Sequence, residues 1–358
     1  MKQTIAPRKE RNVGLDLLRI SLALLIFMFH SNMLFECHYG VLDRFARYGA
    51  IAMTGFFMLS GYALSLSSKE ILTDIGSLKN FLLKRFISIY PLYYFVALAF
   101  IILLGSESFQ SLALLFPFEA LGLQSCFTSL SKISHNGGTW FISCLTICYL
   151  LYPLLQWIII RLKVKEKVIL GGGFLFLLFL APLVQRHFIV ASIYDNPFFR
   201  AMEFSLGIIA ASVNREMKNG HLPYVFRSKI ILSLVIFLLV TGVSVGDIYI
   251  AGPRDYMLMN WVVLPCFIMM FLILGNVRFD ALSGNRFVSY MSALSYAFFL
   301  AQFFVWPLSY HAINSWIGID NNFMRILVSF MICVGISVFL HECVEKPSSK
   351  YLKAKLLK

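Results

Sequence analysis

The chain has 358 residues, of which 59% are hydrophobic and only 14% are charged. An ordinary soluble domain carries about 25% charged residues, so a soluble protein of this composition would have too few charges to cover its surface. The mean hydropathy of +0.77 also excludes a disordered chain and a small disulfide-stabilised secreted domain. The composition therefore predicts an integral membrane protein.

Ten apolar runs have roughly the length of a transmembrane helix, because a hydrocarbon core of about 30 Å needs about 20 helical residues. The runs cover residues 14–35, 48–68, 86–105, 139–160, 167–185, 198–213, 229–247, 256–275, 287–310 and 323–344. The sixth run is short, and a broken or re-entrant helix is an alternative there. The expected fold is an all-α polytopic membrane protein with about ten transmembrane helices.

Basic residues are distributed unevenly between alternate loops. With the N-terminus on the cytoplasmic side, 23 of the 31 Lys and Arg residues fall in inner segments and six in outer segments. Since cytoplasmic loops carry an excess of Lys and Arg, this asymmetry predicts that both termini are cytoplasmic. It also accounts for the net charge of +13 without a nucleic-acid partner. The expected organisation is a cytoplasmic segment 1–13, one transmembrane domain over 14–345, and a basic cytoplasmic tail 346–358.

The seven cysteines show no spacing typical of a metal site. Cys144 and Cys148 lie within an apolar run, where a packed helix face is the simpler interpretation. Cys37 and Cys126 both fall in predicted outer segments, so the sequence leaves open whether they form a disulfide. No metal site is predicted.

The first span carries the most informative ionisable residues, Asp16, Arg19 and His30. Eleven residues at about 100° each bring His30 to within about 20° of the face of Arg19, about 16 Å further along the helix. Ionisable groups inside a bilayer are costly and are functional candidates by default. A histidine suits a general base, and an arginine binds phosphate through two hydrogen bonds. The structural alternative is that Arg19 reaches the inner headgroups and His30 only packs.

Six short motifs follow one another along the chain. They are 14–19 (GLDLLR) with His30, 55–62 (GFFMLSGY), 81–91 (FLLKRFISIYP), 138–143 (GTWFIS), 200–207 (RAMEFSLG) and 345–347 (EKP). In this order they resemble the acyltransferase-3 family of membrane-bound O-acyltransferases, of the bacterial polysaccharide O-acetyltransferase type. Two positions depart from the family pattern: Ser88 stands where a second arginine is usual, and Gln302 where many members carry histidine.

The resemblance implies that the chain transfers an acyl group, usually acetyl from acetyl-CoA, to a carbohydrate hydroxyl. The acceptor would be a surface polysaccharide (O-antigen, capsule or exopolysaccharide) or its lipid-linked precursor, and the location the bacterial inner membrane. The implied catalytic residues are His30, Arg19 and Glu345. The implied donor-binding residues are Arg85, Lys84, Ser60 and Trp140.

Each of these residues also has a structural interpretation. Arg85 and Lys84 are expected equally as positive-inside anchors, and Trp140 as a residue of the outer aromatic belt. Ser60 fits the small-residue packing common between membrane helices, and Glu345 fits a surface salt bridge with Lys346.

Two other functions compete with acyl transfer. A transporter is the rival from another class, although the matched repeats and mid-membrane acids typical of carriers are not visible. A catalytically inactive relative used as a binding subunit is the third, favoured only by the departures at Ser88 and Gln302. Oligomeric state cannot be predicted from the sequence.

Overall fold

The computed structural model describes residues 12–67, 72, 74–104, 109–127, 130, 139–187, 192–219, 223–249, 259–311 and 321–357. Every regular element within these residues is helical, in agreement with the predicted all-α fold. Nearly all of the predicted N-terminal segment 1–13 lies outside the described residues.

The helices of the described residues are numbered here in chain order. They are α1 Val13–Phe35, α2 Asp43–Arg47, α3 Ala52–Ser67, α4 Ile75–Leu104, α5 Phe109–Leu121, α6 Thr139–Arg161, α7 Val164–His187, α8 Pro197–Asn219, α9 Lys229–Tyr249, α10 Asn260–Leu274, α11 Arg286–His311, α12 Asn322–Phe339 and α13 Lys346–Leu356. A π-helical segment, Leu340–Glu345, joins α12 to α13 without a break.

Seven helical stretches of the described chain are long and apolar enough to cross a membrane. They are α1, the stretch Gly49–Ser67 that contains α3, α4, α6, α7, α9 and the continuous stretch Asn322–Leu356. All ten predicted runs coincide with helices, but α10 has only 15 residues and α8 carries several charged residues. The structure thus supports seven candidate crossings, and ten crossings with cytoplasmic termini stay a prediction.

Helices α3 and α8 pack with their backbones in close contact, because each presents a glycine to the other. A Cβ on Gly61 would lie 2.0 Å from the Phe204 carbonyl oxygen, and one on Gly207 would lie 2.0 Å from that of Met58. Small residues allow such approaches between membrane helices. The close approach is made by Gly61, whereas its neighbour Ser60 lines a cavity described below.

Helix α5 ends against the middle of α4. The hydroxyls of Tyr90, Tyr93 and Tyr94 donate hydrogen bonds to the carbonyls of Leu121, Glu119 and Ala120, at 2.8, 2.7 and 2.5 Å. These are among the last carbonyls of α5, which lack partners within their own helix. The C-terminal end of α5 is therefore held well inside the length of α4.

The question of a disulfide is answered by the structure, in which Cys37 and Cys126 are both unbonded. Cys37 is fully buried just beyond the C-terminal end of α1, whereas Cys126 is exposed.

Candidate active site

A cavity of about 190 Å³ lies between α1, α3, α4, α6, α11 and the π-helical segment. It brings together three of the predicted site residues, Arg19, Ser60 and Glu345, which are far apart in sequence. Its other walls are formed by hydroxyl-bearing, aromatic and aliphatic side chains. The lining residues include Ser88, Phe141, Tyr149, Ser295, Tyr296 and Phe299.

Arg19 is held at the cavity by a polar cluster from α1 and α11. Its Nη1 donates to the Ser292 hydroxyl at 3.2 Å, and that hydroxyl donates to Asp16 Oδ1 at 2.7 Å. The same guanidinium nitrogen lies 3.9 Å from the carboxylate of Asp16, one turn earlier on α1. About a third of the Arg19 side chain, 32%, is exposed. Arg19 therefore presents a fixed positive charge to the cavity, which is the geometry an anion-binding residue needs.

Glu345 reaches the cavity from the end of the π-helical segment. Its Oε2 lies 2.6 Å from Nδ1 of His341, which is buried one turn earlier. π-helical insertions inside longer helices are frequent at functional sites, and here the insertion ends at the carboxylate that faces the cavity. The predicted salt bridge of Glu345 with Lys346 is not the contact observed, because Lys346 donates instead to Glu342 at 2.5 Å.

His30 lies beyond the cavity and is not among its lining residues. Its Nδ1 is 2.7 Å from Oε1 of Gln302 on α11. As the Gln302 amide is placed, its oxygen accepts, so Nδ1 donates this hydrogen bond and Nε2 of the neutral ring carries the lone pair. That is the tautomer that a general base acting through Nε2 requires.

One face of α11 connects the two ends of the site. Ser292 contacts Arg19, Ser295, Tyr296 and Phe299 line the cavity, and Gln302 contacts His30. Residues three and four apart share a face of a helix, so these side chains form one stripe, about 15 Å long at 1.5 Å per residue. The stripe runs beside the Arg19–His30 face of α1, and the cavity follows it.

The two donor-binding residues predicted on α4, Arg85 and Lys84, have different surroundings. Arg85 is half-buried between the rings of Phe81 and Tyr149, each centred 5.9 Å from its guanidinium carbon. Its buried Nε has no hydrogen-bond partner among the described residues, and Tyr149 lines the cavity. Lys84 is exposed. Arg85 therefore lies directly behind the cavity wall, whereas Lys84 faces away from the buried site.

Trp140 does not line the cavity, and packs instead around a second buried charge. It lies 5.4 Å from the guanidinium carbon of Arg200 and 4.5 Å, between ring centroids, from Tyr194. Arg200 and Glu203 are fully buried and joined at 2.7 Å, and Thr54 on α3 donates to Glu203 at 2.9 Å. Arg200 and Glu203 thus form a local ion pair, which Thr54 also fastens to α3.

Tyr296 and Phe299 lie in the site but belong to none of the six sequence motifs. Tyr296 spans the site by donating to the Ile89 carbonyl on α4 at 2.9 Å. The available signal was the spacing of Ser292, Ser295, Phe299 and Gln302 on one face of an apolar helix. Its significance depends on α1 lying alongside, and no pattern within α11 predicts that neighbour.

Comparison with known proteins gives one match. The family model Acyl_transf_3, described as an acyltransferase domain, matches residues 12–342, nearly the whole chain. No curated protein matches the sequence, and no solved structure matches the fold.

Proposed function

The chain belongs to the acyltransferase-3 family, and from this premise we propose that it transfers acetyl from acetyl-CoA to a carbohydrate hydroxyl. The acceptor is a bacterial surface polysaccharide or its lipid-linked precursor, modified at the inner membrane. Membership of the family makes the chain a membrane acyltransferase, and the donor, the acceptor and the location are the proposed part.

The observation that carries the proposal is the cavity between Arg19 and the His30–Gln302 pair. Arg19 and Glu345 mark one part of it, and the α11 stripe leads from there to Gln302. The distance from Arg19 to His30 along α1, about 16 Å by helix rise, is comparable with the length of a pantetheine arm. A donor whose phosphates lie near Arg19 and Arg85 would thus extend its thioester towards His30.

The residues then divide the reaction between them. Nε2 of His30 removes the proton of the acceptor hydroxyl, and the oxygen attacks the thioester carbonyl carbon. The carbon–sulfur bond breaks, and the thiolate of coenzyme A leaves and takes up the proton. Arg19 and Arg85 bind the donor phosphates, Ser60 and Glu345 contact the donor in the cavity, and Trp140 supports α8 through Arg200. Lys84, which is exposed, is left with the role of a positive-inside anchor.

The test is transfer of label from radiolabelled acetyl-CoA to the glycan fraction of membranes that contain the protein. We expect His30→Ala to lower the rate by about 10²–10⁴-fold, the usual contribution of a general base. The matched control is His38→Ala, since His38 lies just beyond α1, is 71% exposed and contacts Asp43. Its rate should equal that of the wild type.

Two outcomes would contradict the proposal. Equal labelling by wild type and a stably expressed His30→Ala would remove His30 as the base. Absence of acetyl-CoA-dependent product with the wild type would overturn the donor assignment and favour the transporter or inactive-relative alternatives.

A further inference from the structure

Two phenylalanines of the cavity wall meet at the lining residue of α11 that is nearest to Gln302 in the chain. Phe141 on α6 and Phe299 on α11 both line the cavity, and their rings are 5.2 Å apart at an angle of 62°. Phe57 on α3 packs behind Phe141 at 5.1 Å. Both rings are nearly buried, with 7% and 5% of Phe141 and Phe299 exposed. The two rings therefore narrow the apolar part of the cavity, and Phe57 holds Phe141 in place.

The position of Phe299 along α11 places this constriction between the cavity and His30. Phe299 precedes Gln302 by three residues, about 4.5 Å along the axis and on the same face. Gln302 bonds to His30, whereas Ser295 and Tyr296, on the other side of Phe299, line the cavity. Anything that passes from the cavity to His30 along this stripe must cross the edge of Phe299.

We propose that the Phe141–Phe299 contact determines the length of the acyl group that the protein transfers, admitting acetyl and rejecting longer chains. The inference rests on the proposed function, in which the thioester moves from the cavity towards His30. An acetyl group presents one methyl beyond the thioester carbonyl, whereas a butyryl group must fit two further methylenes between rings that already touch. The bonds made and broken are the same for every acyl group, so selection occurs by size alone.

The experiment compares acetyl-, propionyl-, butyryl- and hexanoyl-CoA as donors, with the same membranes and glycan acceptor, for wild type and Phe299→Ala. We expect the wild type to prefer acetyl-CoA. Phe299→Ala should raise the ratio of kcat/KM for butyryl-CoA to that for acetyl-CoA by about 10-fold or more, because space for one additional methylene group changes discrimination by about that factor. Phe299→Leu, which keeps most of the apolar volume, should give a smaller change in the same direction.

Phe298→Ala is the matched control, because it removes the same side chain from the adjacent position. Phe298 is buried against Phe27 and Phe330, at 6.0 and 6.1 Å between ring centroids, and does not line the cavity. Any loss of packing is therefore similar, while the ratio of acyl donors should stay at the wild-type value.

The outcomes separate this inference from the proposed function. If wild type transfers acetyl but the donor ratio is unchanged in both Phe299→Ala and Phe299→Leu, the constriction does not select the acyl group. An equal shift in Phe298→Ala would likewise overturn the inference. If wild type transfers no acyl group from any donor, the proposed function itself fails.

Discussion

Gln302 shows how one residue orients the proposed base. Its amide oxygen accepts from His30 Nδ1 at 2.7 Å, and its side chain is fully buried. In the sequence, Gln302 is notable only because many family members carry histidine at this position. In the structure the Gln302 side chain reaches the ring of His30 from the neighbouring helix α11.

Replacement of Gln302 should therefore reduce kcat without changing the binding of the donor. We expect Gln302→Leu to lower kcat by at least about 10-fold, because the His30 ring loses the acceptor that fixes its tautomer, while KM for acetyl-CoA stays unchanged. Gln302→His should restore much of kcat. Steady-state kinetics in membranes provide both values, and a rise in KM with unchanged kcat in Gln302→Leu would contradict a positioning role.

The predicted site residues differ in how far the sequence could locate them. The common face of Arg19 and His30 follows from helix geometry alone, and the polar cluster of Asp16, Arg19 and Ser292 is consistent with it. Trp140 could not be assigned in this way. Its partner Arg200 lies on another helix, and contacts between helices depend on packing that no local pattern encodes.

At the scale of elements, helices α3 and α8 lie so close together that a substitution of glycine tests their contact. Gly61 and Gly207 each face a backbone carbonyl oxygen of the other helix, so an added methyl group meets backbone rather than a side chain that can move. Overpacking of this kind forces the helices apart. The Thr54–Glu203 hydrogen bond between the same helices would be strained by that separation.

We therefore expect Gly207→Ala to lower the free energy of unfolding by about 1–3 kcal/mol or more. Thermal unfolding of the protein in detergent should show a lower apparent Tm than wild type. Gly172→Ala on α7 is the control, because a Cβ there meets nothing within 4 Å. Equal Tm values for the two variants would show that the approach of α3 to α8 is looser than described.

The elements themselves were largely predictable, because every apolar run identified in the sequence coincides with a helix. Two properties of the helices were not predictable from the sequence, for physical reasons. Helix α8 contains the fully buried pair Arg200 and Glu203. Burial of either charge alone would be unfavourable, but each neutralises the other, and Thr54 on α3 donates a hydrogen bond to Glu203. Helix α5 is a short apolar segment, and its sequence does not reveal that tyrosines of α4 hold its final turn.

At the scale of the whole molecule, the uneven distribution of basic residues is the basis for the predicted orientation. The exposed segment around Val41 is expected outside, and α13, which carries Lys346, Lys350, Lys353 and Lys355, is expected inside. Retention of Lys and Arg in cytoplasmic loops is the physical reason. The same orientation would give acetyl-CoA access from the side where it is made.

This orientation can be measured by labelling introduced cysteines with a membrane-impermeant maleimide. Val41 is 96% exposed and Tyr351 is 64% exposed, so cysteine at either position is accessible. With the exposed Cys126 and Cys343 replaced by serine, Val41→Cys should react in intact cells and Tyr351→Cys only after permeabilisation. Reaction of Tyr351→Cys in intact cells would reverse the predicted topology.

The three tyrosine hydroxyls that hold the end of α5 also bear on how the protein is assembled during synthesis. Tyr90, Tyr93 and Tyr94 precede α5 in the chain, and domains are built from the N-terminus as the ribosome proceeds. The donors for the last carbonyls of α5 are therefore already in the membrane when that helix emerges. The end of α5 thus meets hydroxyl donors that were synthesised before it, and Thr146 on α6, which contacts the Tyr90 hydroxyl at 2.9 Å, joins them only later.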